Sequence, residues 1–387
     1  MPWFCFEKQK PELPKLRWYM NVKKLLLAIL MFFVALPVAR AEDEKFDATS
    51  HAADGNYLDF SPMGLVELPR IFLVKDANGA YGLEFFGSTG AALSSGKFAV
   101  VEAEAKPTEA AATEEHAAEG GHEAHAMDPH HYLHADLAAS AGTLVVDFSP
   151  TRHLLFLFIA SMIAIGAFVS LANTYKQGPG RTSAPKGIFQ NMMETLIMFV
   201  RDDIARPNLG KNADKYLPYL LSAFFLILIC NLLGMIPFTA TATANITTTA
   251  VLAIFTFILT QFAGTKDYWT HIFWPPGVPV WMKFILMPIE FLGLFTKPFA
   301  LAVRLFANMT AGHLVILNFI GLIFIFNTKF GAGAAYGVAP VGFFMALFIN
   351  MIELMVAFIQ AYVFTMLSAL FIGMAAEEHH HDEAHAH

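Results

Sequence analysis

Residues 297–313 read KPFALAVRLFANMTAGH. The stretch lies inside an apolar run from about Phe284 to Phe326, and it places an arginine, Arg304, among Leu, Val, Phe and Ala. A guanidinium at bilayer depth costs at least about 2.5–3.5 kcal/mol on insertion scales, and it cannot escape by losing its proton. A charge kept at that depth needs a partner or a use.

The composition makes the depth real. Of 387 residues 56% are hydrophobic and only 15% are charged, with 38 phenylalanines and a net charge of −7. Soluble domains carry about 25% charged residues. The chain therefore reads as a membrane protein with polar pieces attached. Its acidic balance argues against a nucleic-acid partner. Two cysteines, Cys5 and Cys230, are too few for a disulfide framework or a Cys-based metal site.

Outward from Arg304, the apolar runs predict five transmembrane helices. Leu154–Tyr175 gives the first. Tyr216–Thr265 lacks Asp, Glu, Lys, Arg and His and gives two more, about Leu217–Ile236 and Thr249–Ala263, joined by the TATATANITTT run. The last two run from about Phe284 to Phe326 and from about Val341 to Met374, separated by a Gly-rich, turn-like stretch, Asn327–Ala339. Both exceed the ~20 residues of a perpendicular span, so they must tilt, bend or break, and Pro288 and Pro298 offer breaks in the first. Gly187–Val200 is apolar on one side and polar on the other and reads as an interfacial or re-entrant helix. Gly264–Lys283, with Trp274 and three prolines, reads as a loop at the membrane interface.

The segments outside these spans have their own logic. Residues 1–41 form a signal-peptide region: Lys23 and Lys24 precede the apolar Leu25–Ala39, Ala39-Arg40-Ala41 fits a small-x-small cleavage site, and Met20 is an alternative start. Residues 42–147 form a polar extension. Within it Arg70–Phe86 carries a β-hairpin signal around Ala77-Asn78-Gly79, and Phe98–Val101 reads as another strand. About Glu102–Asp136 is rich in Ala, Glu and His and reads as a solvated, disordered tether rather than a metal-binding tract. Basic residues cluster after the first span, from Lys176 to Lys215, which places that side in the cytoplasm and the acidic extension outside. Residues 148–375 make up the membrane domain, and residues 376–387 an acidic, His-rich cytoplasmic tail.

Ionisable residues in the last two segments are few: Glu290, Lys297, Arg304, His313 and Glu353. Glu290, Lys297 and Arg304 are spaced by seven and share a helical stripe, continued by Asn308. Glu353 and Gln360 are also spaced by seven, with Asn350 one turn earlier. Arg304 and His313 are nine apart on the first segment. An antiparallel fold that sets Arg304 level with Gln360 therefore sets His313 level with Glu353 to within two residues. Gln360 can orient the guanidinium by accepting a hydrogen bond but cannot neutralise it. A level His–Glu pair can hold and relay a proton. Glu353 lies about 10 Å along the helix from the position facing Arg304, so the arginine has no level acid in its own chain. That implies a carboxylate from another subunit or a water-filled cavity. Ala300, Ala307, Ala311 and Gly312 would let a second helix come close. Asn231 and Gln261, the polar exceptions in the middle spans, read as helix–helix hydrogen-bonding residues.

RLFANMTAGH with the later IELMVAFIQAYVF closely resembles the signature of subunit a of the F-type ATP synthases, and NLLGMIP at 231–237 and TKPFAL at 296–301 are similar to it as well. The resemblance covers about Leu154 to Met374. It implies a stator subunit that forms two proton half-channels against a rotating c-ring, with the subunit b stalk and lipid as further partners and no cofactor or metal. Arg304 matches the family's essential arginine, which faces the c-ring carboxylate. Asn308 and Gln360 match polar residues beside the path, Glu290 an acid on the cytoplasmic exit side, and Lys297 a family lysine. His313 and Glu353 occupy positions that read Glu and His in some bacterial members; the order His then Glu is that of mitochondrial-type members. Asn231 and Asn350 are supporting positions. No G-x-x-x-x-G-K-[ST] loop occurs, so ATP chemistry is expected elsewhere in the complex. A secondary transporter or a metal-handling membrane protein are the alternatives; the first predicts internal repeats, the second histidines or carboxylates in several spans.

Overall fold

The computed structural model describes residues 55–59, 65–75, 79–100, 137–140, 143–176, 187–236, 239–274 and 278–376. The signal-peptide region, the tether at about Glu102–Asp136 and the C-terminal tail lie outside them.

Among the described residues the extension forms a small β unit with one helix. β1 (Tyr57–Asp59) pairs antiparallel with β2 (Leu65–Glu67). β3 (Arg70–Lys75) and β4 (Tyr81–Phe86) form the hairpin expected from the sequence, with Phe72 opposite Glu84 and Leu73 opposite Leu83. α1 (Thr89–Ser94) follows, its first turn held by Ser88 accepting from the Ala91 amide. β5 (Phe98–Val100) pairs with β6 (Leu137–Ala139), and β7 (Thr143–Asp147) closes a three-stranded sheet in the order β4–β3–β7. One face of that sheet buries Phe72 and Val74 against Ala92, Phe98 and Leu137. Arg70, nearly buried, is satisfied by Thr89 at 3.0 Å and by the Asp147 carboxylate at 3.3 Å.

Among the described residues five helical stretches are long and apolar enough to cross a membrane. The first is α2 (Arg152–Lys176). Next, α3 (Ile188–Phe199) passes through a π-helical turn at Val200–Ala205, α4 (Arg206–Leu209) and a 3-10 turn into α5 (Ala213–Gly234). The amphipathic segment is thus the start of a nearly continuous helical path, and its Met193, with Val200 and Ile204, packs into the main core. α6 (Ile246–Ala263) is the third span. The interface loop contains a further short helix, α7 (Lys266–Phe273), capped by Thr265. The run between α5 and α6 turns inward: Thr241 and Thr243 are buried.

α8 (Val280–Phe330) and α9 (Ala332–Ala376) complete the chain as a long antiparallel pair. Two expectations are corrected here. Pro288 and Pro298 do not break α8, which stays helical through both; in an apolar medium the backbone has no water to turn to, and helices absorb a missing N–H. The Gly-rich turn shrinks to one residue, Gly331, at φ 83°, and the rest of Asn327–Ala339 is helical. A single left-handed glycine suffices to end a helix, and the small residues after it carry α9 onward. At about 1.5 Å per residue the 51 residues of α8 span about 75 Å, far beyond a ~30 Å hydrocarbon layer.

The core gathers around α5. Leu220, Phe224 and Ile227 meet Leu301, Ala302 and Leu305 of α8 and Ala361, Phe364 and Ile372 of α9. The α8–α9 crossing is therefore fixed at the level of Arg304 and Gln360.

Candidate functional site: a polar seam between the two long helices

The expected register is present. Gln360, buried at 3% exposure, donates from Nε2 to the main-chain carbonyl of Arg304 at 2.9 Å. The amide thus grips the Arg304 backbone, where the sequence suggested that it would accept from the guanidinium. An amide has both functions, and sequence spacing fixes the level of a contact but not which atoms make it. One short step away, a Cβ on Gly312 would lie 3.0 Å from Oε1 and 3.2 Å from Cδ of Glu353. Gly312 adjoins His313, so Glu353 stands level with His313 as the spacing requires. Farther along, Gly342 of α9 presses on the Phe319 carbonyl of α8 in the same way, at 3.1 Å for a Cβ.

The two helices treat their polar residues differently. On α8, Leu301, Ala302, Leu305 and Met309 point into the core, which turns Arg304, Ala307, Asn308 and Ala311 to an exposed face. Small residues flank the arginine there, so a second helix could approach it closely. Among the described residues no carboxylate pairs with the Arg304 guanidinium. On α9, Glu353 is 6% exposed, and its Oε2 has no hydrogen-bond partner among the described residues; the Oδ1 of Asn350, one turn before, has none either. A buried carboxyl left in this way is costly, and such groups call for an explanation.

Asn231 holds the seam together. Fully buried on α5, it donates from Nδ2 to the Ala357 carbonyl at 3.2 Å and accepts from the Thr243 hydroxyl at 2.6 Å. Ala357 lies midway between Glu353 and Gln360, so this asparagine ties α5 and the α5–α6 turn to the polar stretch of α9. The helix-to-helix role read from the sequence is what the geometry shows. Thr243 went unread, because a threonine-rich run between spans resembles an ordinary loop.

Beyond Arg304 toward the start of α8 lies a cavity lined by Thr256, Thr260 and Gln261 of α6, Tyr268 of α7, Lys297 and Leu301 of α8, and Phe371 of α9. Lys297 sets its ammonium 5.5 Å from the centre of the Phe371 ring, a cation–π contact. Glu290 is half-buried one further stretch along α8. Burial pushes the Tyr268 phenol up from its ordinary range; a side-chain hydrogen bond with Gln261 opposes this, and the nearby Glu290 carboxylate adds a smaller upward push. A hydroxyl chain leads off the cavity: Tyr219 meets Thr256 at 2.6 Å, and Thr256 meets Ser368 at 3.4 Å. Sequence reading missed Tyr219, Thr256, Tyr268 and Ser368. Hydroxyls in apolar helices bond their own backbone four residues back, as Thr256 and Ser368 also do, and so give little signal.

A multi-span helical protein thus lines up Arg304, Gln360 and Glu353 along one seam, and among the described residues no carboxylate pairs with the arginine at its centre.

Comparison with known proteins agrees. The family model described as "ATP synthase A chain" matches residues 154–373. A protein of Chloroherpeton thalassium named ATP synthase subunit a is 44% identical over 352 residues, covering 89% of this chain and 81% of its own length. Proteins of the same name from Anaeromyxobacter sp. and Chlorobium phaeobacteroides are 50% and 49% identical, each over 62% of this chain and over 57% and 69% of their own lengths. The chain belongs to the ATP synthase A chain family, the proton-translocating component of the F-type ATP synthase membrane sector, which has no ATP-hydrolysing site of its own. This membership displaces the transporter and metal-handling alternatives.

Proposed function

We propose that Arg304 is the fixed charge separating two proton half-channels that this chain forms against the c-ring of the synthase. The observation that carries the reading is the Gln360–Arg304 contact at 2.9 Å: it fixes the arginine backbone while the side chain stays on an exposed face, with no acid paired to it among the described residues. Protons enter through the region of His313, Glu353, Asn350 and Asn308 and neutralise a ring carboxylate. The neutral acid can turn into lipid at tolerable cost. After nearly a full turn it reaches the path near Glu290 and Lys297 and gives up its proton. Arg304 favours the ionised form of the carboxylate that arrives beside it and blocks a direct leak. Each proton crossing the potential yields about 2.3 kcal/mol per 100 mV, so several are combined per ATP.

The wider assignment follows the same reading. The chain is a multi-pass protein of a bacterial inner membrane, with residues 1–41 as its signal-peptide region, residues 42–147 outside, and the C-terminus in the cytoplasm beside the subunit b stalk. The basic cluster after α2 supports that orientation.

The test is ATP-driven proton pumping by the intact synthase in reconstituted vesicles. Arg304→Ala is expected to abolish pumping while the complex still assembles. Coupled pumping by that variant would overturn the reading.

A further inference from the structure

We propose that the open face of the β4–β3–β7 sheet rests on the bilayer surface beside α2, with phospholipid as its partner. The sheet has two unlike faces. One is the buried core described above. The pleat turns Ile71, Leu73, Leu83, Phe85, Val146 and Phe148 to the other. Leu83 is 72% exposed and Phe85 70%, and they continue an apolar surface across all three strands. A contiguous apolar face of this kind marks an interaction site.

Three observations select lipid as the occupant. The first is position. Only four residues separate Asp147, the end of β7, from Arg152, the start of α2. At no more than about 3.6 Å per residue this keeps the sheet edge within about 18 Å of the head of the span. The junction is also clamped. Phe148 donates to the Ile71 carbonyl at 2.9 Å, Asn56 to the Pro150 carbonyl at 3.0 Å, and the Arg152 amide to the Gly55 carbonyl at 2.9 Å. The Arg152 guanidinium lies 5.5 Å from the centre of the Tyr57 ring. The sheet is therefore held at the point where the apolar helix begins.

The second is the neighbour. α2 is only lightly covered by the other spans, and Phe158, Met162, Ile165 and Val169 along it are exposed. Lipid reaches the foot of the sheet from that side. The third is chemistry. Among the described residues the face carries no carboxylate: Asp147 and Glu84 are on the core side, engaged by Arg70 and Lys97. Its one charge among them is Lys75, whose ammonium lies 5.5 Å from the centre of the Tyr81 ring at the sheet edge. An apolar face edged by an aromatic and a cation matches the headgroup boundary, where aromatic rings and lysines sit.

The proposal is tested in the intact synthase in phospholipid nanodiscs. After replacement of Cys5 and Cys230 by serine, an environment-sensitive dye is attached at Leu83→Cys, and at Ser94→Cys as the control on exposed α1. Lipid carrying a nitroxide near the headgroup is expected to quench the dye at 83 several-fold more than at 94, and aqueous iodide to do the reverse. A second variant, Phe85→Glu with the dye at 83, should lose the lipid quenching, since a carboxylate beside the dye opposes insertion. A dye at 83 open to iodide and untouched by lipid nitroxide overturns the proposal. So does a dye shielded from both, because that places protein on this face. Neither position enters the proton path, so pumping remains an independent readout.

Discussion

Gln360 of α9 donates a hydrogen bond to the main-chain carbonyl of Arg304 at 2.9 Å, so the conserving contact between the two long helices is made to the backbone of the arginine and not to its charge. Among the described residues no carboxylate opposes the guanidinium, while the helix that carries it is held by Leu301, Ala302 and Leu305 in the core. A rigid base with a free cation suits a charge that must meet carboxylates arriving in turn from another subunit: a permanent internal partner would compete with each of them.

Changing Gln360 separates these two roles. Gln360→Ala removes one neutral hydrogen bond, worth about 0.5–1.5 kcal/mol. It should lower ATP-driven pumping several-fold without abolishing it. Gln360→Glu places a carboxylate level with Arg304 in a medium of low dielectric, where opposite charges attract strongly. This variant should pump worse than the alanine variant, as read by dye quenching in reconstituted vesicles. Pumping at or above the alanine level would mean that an unpaired arginine is not required.

Gly312 is the point where α8 lets Glu353 in. A Cβ there would sit 3.0 Å from Oε1, closer than side chains normally tolerate, so the carboxylate would have to give by a few tenths of an ångström. Gly312→Ala is expected to slow pumping several-fold, and Gly312→Val to stop it, while the complex still assembles. Equal pumping by all three would show that the position of the Glu353 carboxyl does not matter.

Asn231 makes a different prediction, for stability. Asn231→Leu leaves the Thr243 hydroxyl and the Ala357 carbonyl without their side-chain partner in a buried site. The Thr243 hydroxyl left unsatisfied costs about 1–3 kcal/mol, whereas the Ala357 carbonyl, inside α9, keeps its helical bond. The unfolding temperature of the purified protein in detergent should fall. Thr243→Val should lower it as well, by stranding Asn231 Oδ1. The double variant should fall by less than the two single changes combined, because the two residues share one bond. Strict additivity would show that the pair is not energetically coupled.

Much of this arrangement is legible in the sequence because charge is scarce in apolar helices. With five ionisable residues in the last two segments, spacing alone sets Gln360 against Arg304 and Glu353 beside His313. The hairpin at Arg70–Phe86 is legible for a similar reason, as local alternation around a turn signal. What stays hidden depends on context. Glycine means a turn in water, and the stretch after Asn327 looks like one, yet in an apolar setting all but Gly331 remain helical, because an unsatisfied backbone there has no water to bond. The pairing of β3 with β7 joins Phe72 to Asp147 across a long stretch of chain, and no local pattern announces it. Gly312 and Thr243 matter only through the side chain each one meets.

The level placement of His313 and Glu353 yields the last prediction. If the two act as a pair that holds and passes a proton, what counts is that one imidazole and one carboxyl stand at that level, and not which helix carries which. The double exchange His313→Glu with Glu353→His keeps the pair and should retain clearly more ATP-driven pumping than His313→Ala or Glu353→Ala. The exchange also keeps the polar volume at the Gly312 contact, whereas Glu353→Ala opens a gap there and leaves Asn350 beside it. Assembly should be checked by copurification with the ring, so that a loss of pumping is not mistaken for a loss of the complex. An assembled exchange variant as inactive as the single alanine variants would break the pairing and leave Glu353 acting alone.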